Sequence, residues 1–155
     1  MKPLLRNQRG FTLLEIIAVL LVMGIISAVA VARYSSTNSE LTSQTDLVRT
    51  RLRYAQLQAF NSNVVWGINF SATSYSLFKN GNTSDTARLP GEGSTVVTLP
   101  AGISISTGIV SFDSWGTPYT DGPAASIQSG ARSLTVTAAG GSKTITITPN
   151  TGFIP

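Results

Sequence analysis

The sequence predicts an α+β fold: one long N-terminal α-helix, membrane-spanning in its first half, packed by its second half on an antiparallel β-sheet. Three observations lead there. Residues 11–32, FTLLEIIAVLLVMGIISAVAVA, carry a single charge, Glu15. Neither Pro nor Gly interrupts residues 25–62, where Leu41, Val48, Leu52, Ala55 and Ala59 recur at helical spacing, with Thr45 between the first two. From residue 63 onward, short apolar–polar alternations are divided by Gly, Pro and Asn, the pattern of strands and turns.

The 155 residues suit one domain, with 42% apolar and only 12% charged side chains. Lys2, Arg6 and Arg9 crowd the first ten residues, and without them eight basic side chains face seven acidic ones. A nearly neutral body speaks against a nucleic-acid partner, which needs clustered cations for its phosphates. The chain has no Cys and no His. That removes thiol nucleophiles, the usual zinc ligands and the commonest general base. No G-x-S-x-G occurs, no serine is marked as a partner for Lys79 or Lys143, and nothing singles out a carboxylate pair among Asp85, Glu92, Asp113 and Asp121. The expectation is a protein that is not an enzyme and uses no cofactor.

The first element is the basic stretch MKPLLRNQRG, residues 1–10. The apolar run that follows would form a helix of about 33 Å, enough for a hydrocarbon core of about 30 Å. The preceding cations place the N-terminus in the cytoplasm and the chain beyond Arg33 outside. Three readings compete: a plain anchor, a secretory signal peptide cut near Ala28-Val29-Ala30 or Ala30-Val31-Ala32, and a leader removed ahead of a retained helix. Glu15 decides between them. A carboxylate near the middle of a membrane span costs about 2.5–3.5 kcal/mol on insertion scales, and neither a discarded signal nor a simple anchor gains from it. Cleavage between Gly10 and Phe11 would create an α-amino cation, the natural mate for Glu15. The mate can belong to the same helix, at i and i+4, or to an axially offset neighbour, where mispairing would penalise wrong register.

Arg9-Gly10-Phe11-Thr12-Leu13-Leu14-Glu15 resembles the cleavage and methylation signal of the type IV pilin and pseudopilin superfamily. The resemblance implies that Gly10 precedes the cut, that Phe11 becomes the N-methylated first residue, and that Glu15 with Phe11 recruits and registers subunits. It further implies a prepilin peptidase/methyltransferase, other pilin or pseudopilin subunits and an inner-membrane assembly platform as partners. The protein would be single-pass in a bacterial inner membrane, with its C-terminal domain in the periplasm or within a filament. Gly24 falls where the family often carries a helix-loosening glycine, whereas the proline many pilins have near Val31-Ala32-Arg33 is missing.

The organisation that follows is a leader (1–10), a transmembrane and assembly helix (11–32), its amphipathic continuation (33–62) and a β-rich domain (63–155). The helix should end at Asn61-Ser62-Asn63, where poor helix formers gather. Arg49, Arg51 and Arg53 read as a solvated face beside the packed stripe, or as cations that neutralise acids on neighbouring subunits. Val64–Phe70 and Tyr75–Lys79 read as a hairpin, Asn80-Gly81-Asn82 as a turn, and 81–95 as an exposed polar loop. Val96–Leu99, Ile103–Ile105 and Ile109–Phe112 read as short strands. Leu134 and Val136, then Ile145 and Ile147, alternate with Thr about Ala139-Gly140-Gly141 as a closing hairpin.

Several segments are similar to H-type minor pseudopilins and related minor pilins: Leu52-Arg53-Tyr54-Ala55-Gln56 before Val64-Val65, Phe112-Asp113…Trp115-Gly116, and Ile145-Thr146-Ile147…Thr151-Gly152. Absence of a Cys pair separates the chain from disulfide-closed major pilins. Residues Asp113 to Tyr119 also resemble the D-P-W-G-x-P-Y segment of major pseudopilins, some of which bind calcium nearby. That makes Asp113 and Asp121 the metal candidates, although the reading favoured here is turn formation, since calcium takes about six to eight oxygens. Trp115 and Tyr119 read as core or subunit-contact aromatics. Two alternatives to a minor structural subunit remain: a tip-located pilin that catches DNA or a surface through Arg88, Arg132 or Lys143, and a secreted globular protein.

Overall fold

A computed structural model describes residues 11–155, with side chains at all of them except 32–37; the leader and Gly10 lie outside the described residues. The chain divides into two compact units, Met1–Ser36 and Thr37–Pro155. One helix, α1 (Leu13–Ser62, 50 residues), contributes to both. In the first unit Thr12 caps the helix: its Oγ1 accepts from Glu15 N at 3.2 Å, and its carbonyl from Glu15 N and Ile16 N at 3.1 and 3.3 Å. Two of the N–H groups that open a helix are thereby satisfied, which counts most where no water can serve. Leu13–Val31 is long and apolar enough to cross a membrane, and none of it is buried.

The second unit has a core of its own. Leu41, Thr45, Val48, Leu52, Ala55 and Ala59 are all buried, as the periodicity requires. The helix ends at Ser62, and Asn63 takes a positive φ of 55° that turns the chain toward the sheet. Strands β1 (Trp66–Ser71), β2 (Ser74–Lys79), β3 (Asn82–Ala87), β4 (Val96–Thr98), β6 (Gly108–Phe112) and β7 (Pro118–Tyr119) form one antiparallel sheet, ordered β3-β2-β1-β6-β7. The outer edge of β2 is shared: Leu77 to Lys79 pair with β3, and Ser74 to Ser76 with β4. A second sheet, ordered β5-β8-β9, holds β5 (Ser104–Ile105), β8 (Arg132–Ala138) and β9 (Gly141–Ile147). Apolar residues of both sheets join the helical stripe in one core, with Ile68, Leu77 and Val110 from the first and Leu134, Val136, Ile145 and Ile147 from the second.

The expected hairpins are present, β1 with β2 and β8 with β9. The expected turn at Asn80-Gly81 has positive φ at both positions, 57° and 68°, the twist that suits a two-residue hairpin loop. One expectation needs correction. The 81–95 stretch is not all loop, because Asn82–Ala87 forms β3. As an edge strand with no fully buried residue it needs no apolar alternation, so its Asn, Ser, Asp and Thr side chains concealed it. The two-residue strand β7, for which the sequence raises no expectation, is too short to leave any period.

Candidate functional site

Two places concentrate unusual features, one in each unit. On α1, Phe11, Glu15, Ile16, Val19 and Leu20 line a shallow apolar groove, so Phe11 and Glu15 share one face. Glu15 has no cationic partner among the described residues. A carboxylate so placed is a demand for a cation from elsewhere. Apart from its chain neighbours and the backbone of its own helix turns, a side chain starting at Gly24 would meet nothing within 4 Å.

In the second unit the focus is Gln56. Its Nε2 donates to the carbonyls of Gly116, Thr151 and Gly152 at 3.1, 3.2 and 3.2 Å. Two hydrogens serve three acceptors, so one is shared. The helix, the Trp115 loop and the C-terminal tail therefore meet at one amide. Gly152 has φ 61°, and a Cβ there would run into the Gly116 carbonyl and come within 2.6 Å of Gln56 Nε2. The three short segments that resemble minor pilins in sequence are the three that converge here. Nothing in their spacing announced it, since Gln56 bridges 60 and 96 positions.

Next to this junction Arg53 donates Nε and Nη2 to the Ile154 carbonyl at 3.1 and 2.8 Å. Arg49 pairs with Asp46 at 2.5 Å. Arg51 corrects the solvated-face expectation: it is 7% exposed, bonded to the Tyr75 hydroxyl and to Glu92, with its guanidinium 5.3 Å from the Tyr75 ring centre. Burial pushes its pKa below the usual arginine value. Arg51 thus ties the loop after β3 to the helix and cannot serve a neighbouring subunit.

Asp113 organises the other loop. One carboxylate oxygen accepts from Trp115 N and Thr117 N, both at 2.9 Å, and the other from the Tyr119 hydroxyl at 3.0 Å. Desolvation, followed by the bond and the charge of Asp113, pushes the Tyr119 pKa up. Asp121 accepts from Ala125 N and Ser126 N at 3.0 and 3.1 Å. These carboxylates face N–H and O–H donors of their own loops, and no group of three or more potential ligand side chains forms among the described residues.

Trp115 is 84% exposed, which corrects its possible place in the core. With Arg53, Gln56, Leu57, Phe60 and Gly116 it borders a groove. The cations proposed for nucleic acid are not gathered on one strand or sheet: Arg88 follows β3 in one sheet, while Arg132 and Lys143 lie on β8 and β9 in the other. Arg132 is turned inward, bonded to the Ile109 carbonyl, and burial lowers its pKa.

Residues 5–31 match the family model of the prokaryotic N-terminal methylation motif. No curated protein matches the sequence significantly. Among solved structures, the chain is similar to EpsH, a minor pseudopilin of the type 2 secretion system of Vibrio cholerae, with TM-score 0.54 and 12% identity over 75% of this chain and 94% of that one. It is also similar to FimU, a type IV minor pilin of Pseudomonas aeruginosa strain PAO1, with TM-score 0.51 and 15% identity over 74% of this chain and 90% of that one. A second crystal form of FimU gives TM-score 0.52. The chain carries a prepilin-type methylation motif on a pilin-like fold.

Proposed function

We propose that this chain is a non-enzymatic, minor structural subunit of a type IV pilus or a type II secretion pseudopilus. A prepilin peptidase/methyltransferase cuts it between Gly10 and Phe11 and methylates Phe11. The helix then holds it in the inner membrane, with the β-rich domain in the periplasm, until an assembly platform moves it into a fibre among other pilin or pseudopilin subunits. The observation that carries this reading is a methylation-type motif running directly into an apolar helix whose entire span is unburied.

Such a surface has two stable surroundings, lipid or other helices. In the fibre, apolar contact replaces lipid contact, and direction comes from the one charge that must be matched. Glu15 stands four residues from Phe11, so the new amine of the same or a neighbouring subunit can neutralise it. The reading requires no cofactor. Inward-facing Arg132 gives no support to a nucleic-acid-binding tip.

Intact-mass and N-terminal analysis of the chain isolated from its own cells provides the test. The expected mature form lacks residues 1–10 and carries one extra methyl group on Phe11. A mature start near Val31 or Arg33 would mark an ordinary signal peptide and end this reading. A Glu15→Leu chain should still be cut, but its share in fibres should fall roughly tenfold or more, the effect of losing about 1.4 kcal/mol of discrimination.

A further inference from the structure

We propose that Trp115, Leu57 and Phe60 form a docking spot for a second subunit anchored by its own apolar helix, which inserts an apolar side chain flanked by a carboxylate. The proposal rests on the filament-subunit reading above. Leu57 and Phe60 lie three positions apart on α1, beside the buried stripe, and are 55% and 63% exposed. Trp115 lines the same groove. Large apolar side chains grouped on a surface mark a place where a partner sits.

The spot is built in advance. Asp113 Oδ1 holds Trp115 N and Thr117 N, the Asp113 carbonyl accepts from Gly116 N at 3.0 Å, and Gln56 holds the Gly116 carbonyl. The backbone on both sides of Trp115 is fixed while its indole faces outward, so little ordering remains to be done on binding.

Area and charge identify the occupant. Fully exposed aromatic side chains offer about 150–250 Å² each, so Trp115 and Phe60 at their observed exposures present roughly 300 Å², to which the smaller Leu57 adds its share. A stable interface takes about 800 Å² from each partner. The spot is therefore too small to hold a freely diffusing protein and suits one already confined beside it, as a helix-anchored neighbour is. Arg53 at the rim has no carboxylate partner among the described residues, and its guanidinium donates to the neutral Ile154 carbonyl. A carboxylate on the partner would complement it.

The experiment is photo-crosslinking of the full chain in its own cells, with Trp115→p-benzoylphenylalanine and, as control, the same replacement at exposed Thr107. Position 115 should yield an adduct whose other half, by mass spectrometry, is a subunit with its own N-terminal apolar helix. Position 107 should not. Leu57→Asp or Phe60→Asp should cut that adduct about tenfold, as loss of a packed apolar anchor does, with the thermal midpoint unchanged because both residues are exposed. Adducts to lipid only, to a protein without such a helix, equally from position 107, or no adduct at all would overturn the proposal. So would an adduct indifferent to Leu57 and Phe60. Processing and fibre incorporation are read on the same samples. A chain processed and incorporated without the adduct defeats this inference alone; one neither processed nor incorporated defeats the subunit reading and this one with it.

Discussion

Gln56 is half-buried on α1 and supplies one amide nitrogen to three carbonyls from two distant segments. Removing that donor leaves partly buried carbonyls unmatched, at a cost of about 1–3 kcal/mol. Gln56→Ala in the detergent-extracted full chain should lower the thermal midpoint accordingly. Gln56→Glu keeps the shape but turns a charged acceptor toward three acceptors, so it should destabilise at least as much as alanine. A melt in which glutamate matches the parent chain would show that the bonds do not matter. The convergence was illegible in the sequence because its members are far apart and the residue type is common. Arg51 was illegible for a related reason. A basic residue on a helix reads as solvated until a tyrosine and a glutamate from other elements arrive to cover it. Glu15 could be read directly, because a lone charge in an apolar run is conspicuous without any partner in view.

What makes α1 part of the second unit is one stripe, and that stripe was fully legible. Leu41, Val48, Leu52, Ala55 and Ala59 follow from a period that only a helix has, and each is buried. Strands with one buried face were legible too, as Leu134, Val136, Ile145 and Ile147 show. β3 was not, because an edge strand can satisfy its inner row of backbone groups against β2 while burying no apolar face. Leu52 sits at the middle of the stripe with no exposed surface. Leu52→Ala should therefore cost about 2–5 kcal/mol, lost transfer energy plus a cavity. Leu57→Ala, one turn on but mostly exposed, should change the midpoint little. Chemical denaturation of the two variants in the same detergent checks the contrast, and equal losses would mean the helix packs by another face.

The two units solve opposite problems with one chain. Among the described residues, every buried apolar side chain lies between Leu41 and Ile154, inside Thr37–Pro155, whereas Leu13–Val31 buries nothing. The buried core and the unburied apolar span thus occupy separate stretches of sequence. The folded state of the second unit draws on its own helix turns and two sheets. A chain beginning at Thr37 should then remain soluble without detergent and unfold in one cooperative transition. Its midpoint should lie within about 4 °C of the full chain's, a shift that corresponds to under 1 kcal/mol for a domain of this size. New N–H groups at its helix start face water and need no other partner. Lacking the cleavage motif and the apolar span, it should be neither processed nor incorporated into fibres. Circular dichroism melts and fibre fractionation test both halves of the expectation. Aggregation or non-cooperative melting of the shortened chain would mean that residues before Thr37 complete the core after all.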